Sequence, residues 1–153
     1  MNAILAMLVG SIIKPDSIVT PEFLHDVAII ESNVNNAAIG KDGERGAFQI
    51  KREAWADAVA IIRLEGNEVL FTERHYEEMA HEYEFAIMAA SALMRCYEQR
   101  MLRDGYKPTP IRLYMAYNLG YAGAKRIKFN PNSDNITFHR KAIFRKASKI
   151  LNR

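Results

Sequence analysis

Apolar and polar positions follow helical spacing along most of the chain, and short polar stretches rich in Gly, Asn and Pro separate these segments. The run Thr20-Pro21-Glu22 is typical of a helix start, because Thr caps free amides, Pro suits the first turn and an acid favours the positive end of the helix dipole. The pattern predicts a helix from there to about Ser32. A loop over residues 33–46 follows, in which three glycines interrupt regular structure.

The rest of the chain is divided by the same signals. Residues 47–50, with the sequence AFQI, are compatible with a short extended piece. Further helices are predicted over residues 52–64, about 72–103 and 110–118, each followed by a glycine, and over residues 121–128 (a short helix or a turn) and about 137–152. The stretch AIMAASALM in the long helix is apolar on nearly every side, so we expect this helix to be central and the most buried. The fold class is therefore mainly α, with at most a small β element.

Composition and length narrow the class of protein. A chain of 153 residues with 49% hydrophobic and 25% charged residues is typical of one globular domain. Cys96 is the only cysteine, which excludes an intrachain disulfide. The apolar N-terminus, MNAILAMLVGSII, is too short to span a bilayer and lacks the basic flank and cleavage site of a signal peptide. We interpret it as a first core helix; a membrane-contacting or uncleaved export segment is the alternative.

Positive charge is concentrated at the C-terminal end. Residues 125–153 hold nine Lys or Arg against one acid, Asp134. Such a tail suits contact with an anionic wall polymer or membrane surface, and it is equally compatible with the solvated face of a terminal helix. No recognisable module indicates binding of a specific nucleic acid.

Glu31 ends the apolar stripe of the first predicted helix. At 100° per residue it lies on the same face as Leu24 and Val27, so it belongs to the core-facing side. Burial disfavours the carboxylate anion, and a group that keeps its proton closer to neutral pH suits a general acid. The alternative is a structural carboxylate that pairs with a buried Arg or caps a turn.

Three short motifs surround this carboxylate in sequence. Glu31-Ser32 precedes an Asn-rich turn, and Gln49 of the motif GAFQI follows eighteen residues after Glu31. A third motif, AYNLG, contains Tyr117 and Asn118. In order and spacing these motifs resemble the soluble lytic transglycosylases, a family with a lysozyme-like fold that includes bacteriophage members, over roughly residues 20–127.

The resemblance implies one lysozyme-like transglycosylase domain over residues 1–153, with a small β element beside the active-site cleft. Glu31 would be the single catalytic acid/base for cleavage of the β-1,4 bond between N-acetylmuramic acid and N-acetylglucosamine, with 1,6-anhydromuramyl products. Tyr117 would bond near the catalytic carboxylate, and Asn118 would hold the local backbone. The residues implied in substrate binding are Ser32, Phe48, Gln49, Tyr117 and Asn118. The resemblance implies no metal and no cofactor.

Some positions depart from the family pattern. Gly40 stands where the family commonly has a substrate-contacting Ser, and no Tyr follows Tyr121 before the basic helix. Lys51 stands where goose-type lysozymes have a second acid. Asp42 and Glu44 either supply a second carboxylate or are solvated loop charges. Since ordinary glycosidases use two carboxylates, the lack of an obvious second one favours transglycosylation.

Three alternatives remain open at this stage. One is a hydrolytic lysozyme with the same Glu31, and another is a catalytically weakened peptidoglycan-binding or structural protein on this fold. The third rests on two Glu-x-x-His pairs, at His25 and His81, a pattern also found in di-iron bundles. For the transglycosylase we expect a monomer acting on glycan strands in the bacterial periplasm or cell wall, carried by a virion, released at phage lysis or working with a secretion system.

Overall fold

The computed structural model describes residues 16–153, so the apolar N-terminal stretch lies outside the described residues. The described part is mainly helical, as the sequence predicts, and contains no β-strand. Its α-helices are α1 (Pro21–Ser32), α2 (Arg52–Leu64), α3 (Tyr76–Met79), α4 (Tyr83–Arg103), α5 (Pro110–Leu119), α6 (Tyr121–Arg126) and α7 (Phe138–Leu151). A 3₁₀ turn, Glu73–His75, precedes α3. The small β element consists of two isolated antiparallel bridges, Ile39 with Arg45 and Arg45 with Ile50.

Threonine caps set the starts of three helices. The Thr20 hydroxyl accepts the Phe23 amide at 3.2 Å and thereby begins α1. Thr109 and Thr137 do the same for α5 and α7, with amide-to-oxygen distances of 3.4 and 3.3 Å. A capped amide needs no other partner, so the chain enters the helix at that residue. The predicted starts of these three helices are confirmed.

The predicted continuous helix over residues 72–103 is wrong, because residues 80–82 interrupt it between α3 and α4. The carbonyl of Ala80 faces Gly46 so closely that a side-chain carbon at position 46 would lie 2.0 Å from its oxygen. The ring of His81 also bonds to the loop before α2. The interruption is therefore held by contacts with residues far away in sequence.

The expected extended piece at residues 47–50 is also wrong. These residues form a turn, in which the Gln49 amide donates to the Gly46 carbonyl at 3.1 Å. Gln49 has a φ of 47° and Gly46 a φ of 72°, so both lie in the left-handed region. Only Ile50 pairs in an extended manner, through its bridge with Arg45.

The chain divides into two compact units at Cys96, within α4. The first unit has an aromatic core in which the ring of Trp55 lies 4.6 Å from that of Phe71 and 6.1 Å from that of Tyr76. The second unit, Tyr97–Arg153, has its own core, where the Tyr114 and Phe144 rings are 6.2 Å apart. Residues 89–95 of α4 are all buried, as expected for the AIMAASALM stretch.

Candidate functional site

The end of α1 places Glu31 at the edge of the core. Leu24, Val27 and Ala28 on the same helix are fully buried, whereas Glu31 is half-buried. Asn33 ends the helix with a left-handed φ of 57°, and its amide donates to the Ile29 carbonyl at 3.0 Å. This common helix ending satisfies the last carbonyls and directs the chain away from the helix axis. The carboxylate is thus presented where the core meets solvent.

Ser32 joins the first motif to the second. Its hydroxyl donates to the Ala47 carbonyl at 2.8 Å and accepts the Asn35 amide at 2.9 Å. A serine hydroxyl has one hydrogen, and here it is used within the protein. The residue that the resemblance implies in substrate binding therefore serves to hold the GAFQI turn against the end of α1.

Phe48 and Gln49, adjacent in the turn, differ in accessibility. The Phe48 side chain is fully buried and its ring lies 5.5 Å from the ring of Tyr83. A side chain with no exposed surface cannot line a glycan groove, so the substrate contact implied for Phe48 is corrected. Phe48 instead packs in the core and supports the turn. Gln49 is half-buried, and its side-chain amide donates to the Gly46 carbonyl at 3.0 Å, which leaves the amide oxygen available as an acceptor.

Two side chains that follow α2 in the chain, Tyr76 of α3 and His81 of the interruption after it, tie down the loop over residues 33–51. The hydroxyl of buried Tyr76 lies 2.7 and 2.9 Å from the Ile50 and Gly43 carbonyl oxygens and shares its hydrogen between them. Nδ1 of His81 lies 2.9 Å from the Asn36 carbonyl oxygen. Since a carbonyl only accepts, Nδ1 carries the proton and Nε2 accepts from the Arg45 guanidinium at 2.9 Å.

Glu77 adds charge to this attachment. It forms ion pairs with Arg45 of the loop and with Arg52 at the start of α2. Both guanidinium groups also lie over the Tyr76 ring, at 5.8 and 4.9 Å from its centroid. Neither Tyr76 nor Arg45 was singled out from sequence, because an aromatic or basic residue at such a position carries no local signal of its distant partner.

The two carboxylates of the loop occupy different environments. Asp42 keeps 57% of its side chain exposed, as expected of a solvated loop charge, whereas Glu44 keeps 18%. The Asp42 amide donates to Glu44 Oε2 at 3.1 Å, and Lys51 Nζ lies 3.4 Å from Glu44 Oε1. Burial raises the pKa of Glu44, but hydrogen bonds from backbone amides and the Lys51 charge outweigh it, so this pKa lies below its ordinary value. Glu44 is therefore an anion at neutral pH.

Gly40 lies directly against this carboxylate. A side-chain carbon at position 40 would lie 2.2 Å from Glu44 Oε2 and 2.8 Å from Gln49 Oε1. Any side chain there, including the Ser of the family pattern, would collide with Glu44 as it stands. A side chain at position 40 and the Glu44 carboxylate in its present place therefore exclude each other.

The third motif lies in the second unit. Asn118 Oδ1 accepts from the Arg140 guanidinium at 2.8 Å, and the Asn118 carbonyl accepts from the same group at 3.3 Å. Asn118 thus joins α5 to α7 through the side chain of Arg140. Tyr117 is half-buried on α5. Arg140 was not foreseen, since its sequence context indicates only a basic helix.

Two further properties of residues 16–153 concern metal binding and membrane-spanning helices. No three His, Cys, Asp or Glu side chains in this part form a group that could hold a metal ion. None of its helices is long and apolar enough to cross a membrane. Comparisons of the chain with protein-family models, with curated proteins and with solved structures find no match.

Proposed function

We propose that the protein is a peptidoglycan lytic transglycosylase with a lysozyme-like fold and that Glu31 is its single catalytic acid/base. The observation that carries the proposal is the hydrogen bond from the Ser32 hydroxyl to the Ala47 carbonyl. It brings the Glu-Ser motif and the GAFQI motif together, although they are fifteen residues apart along the chain. The resemblance requires this proximity, and the sequence alone does not ensure it.

The chemistry follows from one carboxyl group at the border of the core. In this mechanism the Glu31 carboxyl group donates its proton to the glycosidic oxygen as the bond to muramyl C1 breaks. The resulting carboxylate then removes the proton from the muramyl 6-hydroxyl. The oxygen of that hydroxyl forms the new bond to C1 and closes the 1,6-anhydro ring. Because the nucleophile belongs to the substrate, no second carboxylate is needed to activate water.

The remaining residues divide into contact and support. Gln49 is half-buried and supplies a polar group for the glycan strand. For Tyr117, half-buried on α5, a substrate contact is what the resemblance implies. Ser32, Phe48 and Asn118 hold the elements that present them. The exposed face of α7 carries Arg145, Lys146 and Lys149, which supports contact of this helix with an anionic wall polymer or membrane surface. We place the activity in the bacterial periplasm or cell wall, reached from a virion or at phage lysis.

Clearing of a peptidoglycan suspension tests the proposal. Purified protein should reduce the turbidity of the suspension, and Glu31→Gln should abolish the decrease, because an amide cannot donate the proton. Glu22→Gln is the matched control: Glu22 lies on the same helix but is exposed, and its loss should leave clearing unchanged. Equal clearing by wild type and Glu31→Gln would remove the assignment.

Mass spectrometry of the released muropeptides tests the second half of the mechanism. Anhydromuramyl ends, lighter by one water than reducing ends, are expected. Reducing ends that still depend on Glu31 would instead identify a hydrolytic lysozyme with the same acid.

A further inference from the structure

We propose that Glu44 and Gln49 form an acceptor-only subsite for the glycan strand, which takes the place of the family's Ser at position 40 and favours de-N-acetylated amino sugars. The ligand class rests on the proposed function. The subsite itself rests on the arrangement of Gly40, Glu44 and Gln49.

The two acceptor oxygens converge on Gly40. Glu44 Oε2 and Gln49 Oε1 would lie 2.2 and 2.8 Å from a side-chain carbon at that position. Their separation therefore cannot exceed the sum of those two distances, a span that one hydroxyl, amino group or water can bridge. Glycine at position 40 leaves room for the Glu44 carboxylate, which occupies the place that a side chain there would take.

Both oxygens are held in place by the protein. The Gln49 side-chain nitrogen donates to the Gly46 carbonyl at 3.0 Å, which turns Oε1 towards Gly40. Lys51 lies beside Glu44 Oε1, whereas Oε2 accepts the Asp42 amide. The strained φ of 47° at Gln49 is of the kind that persists at binding positions where the surrounding structure maintains it.

This pair selects the ligand by hydrogen-bond type and charge. A Ser hydroxyl can donate or accept, but a carboxylate and an amide oxygen only accept. The subsite therefore takes a hydroxyl, an acetamido N–H or an ammonium group. An ammonium gains most, since a charged donor on a charged acceptor makes the stronger hydrogen bond. Glucosamine residues whose acetyl group has been removed carry that ammonium.

The test compares cleavage of fully N-acetylated and partly de-N-acetylated peptidoglycan. Wild type should favour the de-N-acetylated substrate, and Glu44→Gln should lose about tenfold of that preference, the order expected for a hydrogen bond between charged groups. Asp42→Asn is the matched control, because it removes the same charge from an exposed side chain of the same loop and should keep the preference.

A second variant guards against a folding defect in the first. In Gly40→Ser the new side chain must displace the Glu44 carboxylate, so the preference should fall as in Glu44→Gln. An unchanged preference in both variants would overturn the subsite. An equal loss of the preference in Asp42→Asn would also overturn it, because the effect would then arise from the overall charge of the loop.

Binding separates this inference from the proposed function. Glu31→Gln protein is sedimented with each kind of peptidoglycan, and the bound fraction is compared with that of Glu31→Gln/Glu44→Gln. Weaker binding of the double variant to the de-N-acetylated form supports the subsite even if wild type cleaves nothing, in which case only the proposed activity fails. Equal binding by both proteins overturns the subsite and leaves the catalytic assignment untouched.

Discussion

Two irregular segments of the molecule differ in what holds them. Residues 33–51, in the first unit, are tied by the side chains of Tyr76 and His81. These hydrogen bonds join residues between 26 and 45 positions apart in the chain. The segment contains Gly40, Glu44 and Gln49, so distant residues determine the positions of the proposed contact groups.

In residues 127–137, in the second unit, backbone amides bond to near neighbours, although the Phe129 ring also lies 4.8 Å from that of Tyr106. The Asn132 amide donates to Asn130 Oδ1 at 2.9 Å, and the Asn135 amide donates to Ser133 Oγ at 3.3 Å. Phe129 anchors the start of the segment, with its ring 5.8 Å from that of Tyr121 on α6.

This difference has a physical consequence for function. A loop held by several distant side chains loses its conformational freedom when the unit folds, and its polar groups then need no ordering when a ligand binds. A locally turned segment needs no such attachment and can vary more freely. The first segment therefore suits a binding role, and its attachments should be the sensitive points of the molecule.

The largest effect is expected from Gly46→Ala. Its φ of 72° is unfavourable for alanine, and the added carbon would lie 2.0 Å from the Ala80 carbonyl oxygen. Backbone strain and overpacking together should lower the free energy of unfolding by about 3 kcal/mol or more. Urea denaturation measures it.

Gly43→Ala is the control, since its φ of 84° imposes similar strain but no atom lies within 4 Å of the new carbon. It should cost about 1 kcal/mol. Equal losses for the two variants would show that the contact with Ala80 does not hold the loop.

Tyr76→Phe should have the next largest effect on the first segment. It removes the hydroxyl that reaches the Gly43 and Ile50 carbonyls but keeps the buried ring. The expected loss of stability is about 1–2 kcal/mol, with faster amide hydrogen exchange across residues 33–51. Asn130→Ala, which breaks the local turn of the second segment, should cost about 0.5 kcal/mol. A larger loss for Asn130→Ala would reverse the comparison.

Tyr121→Phe, measured as a function of pH, tests how far the Tyr121 hydroxyl stabilises the second unit. The Tyr121 hydroxyl donates to Asp104 Oδ2 at 2.9 Å. Burial and this hydrogen bond raise the pKa of Tyr121 to about 12. The neutral Tyr121 hydroxyl therefore stabilises the fold fully below pH 10.0, the ordinary pKa, and this stabilisation is lost as pH rises towards 12. We expect a cost of about 1 kcal/mol at neutral pH, and a difference between wild type and variant that shrinks above pH 10.0. A constant difference would contradict this assignment.

The smallest effect is expected from Glu44→Gln on stability in acid. Burial raises the pKa of Glu44, but backbone hydrogen bonds and Lys51 outweigh this and hold the pKa below its ordinary value of 4.5. The contribution of the Glu44 carboxylate to folding stability is therefore present above pH 4.5 and lost as pH falls through the lower pKa of the folded state. Denaturation curves of wild type and variant should converge on acidification; parallel curves across this range would exclude the hydrogen-bonded carboxylate.

Much of the helical framework could be predicted from sequence because its signals are local. Thr20 and Thr109 bond to amides three residues on, and glycines lie just beyond the ends of α2 and α4. The stripe of Leu24 and Val27 likewise predicts which face of α1 is buried. These features depend on helix geometry alone, so they are present before any tertiary contact forms.

The candidate site was predicted only in part. The Glu-Ser and GAFQI motifs indicate which residues to consider, and the tie between Ser32 and Ala47 brings them together. No local sequence signal indicates that Phe48 is buried against Tyr83 or that Asn118 bonds to Arg140, since each contact depends on a partner from another helix.

The sequence by itself determined where α1, α5 and α7 start and which face of α1 is apolar. The tertiary structure decided the interruption at residues 80–82, the turn at Gln49 and the position of the Glu44 carboxylate against Gly40. A cap needs residues within one helical turn of each other. These other features require loop closure between residues far apart, whose entropic cost is met only when the surrounding core packs as a whole.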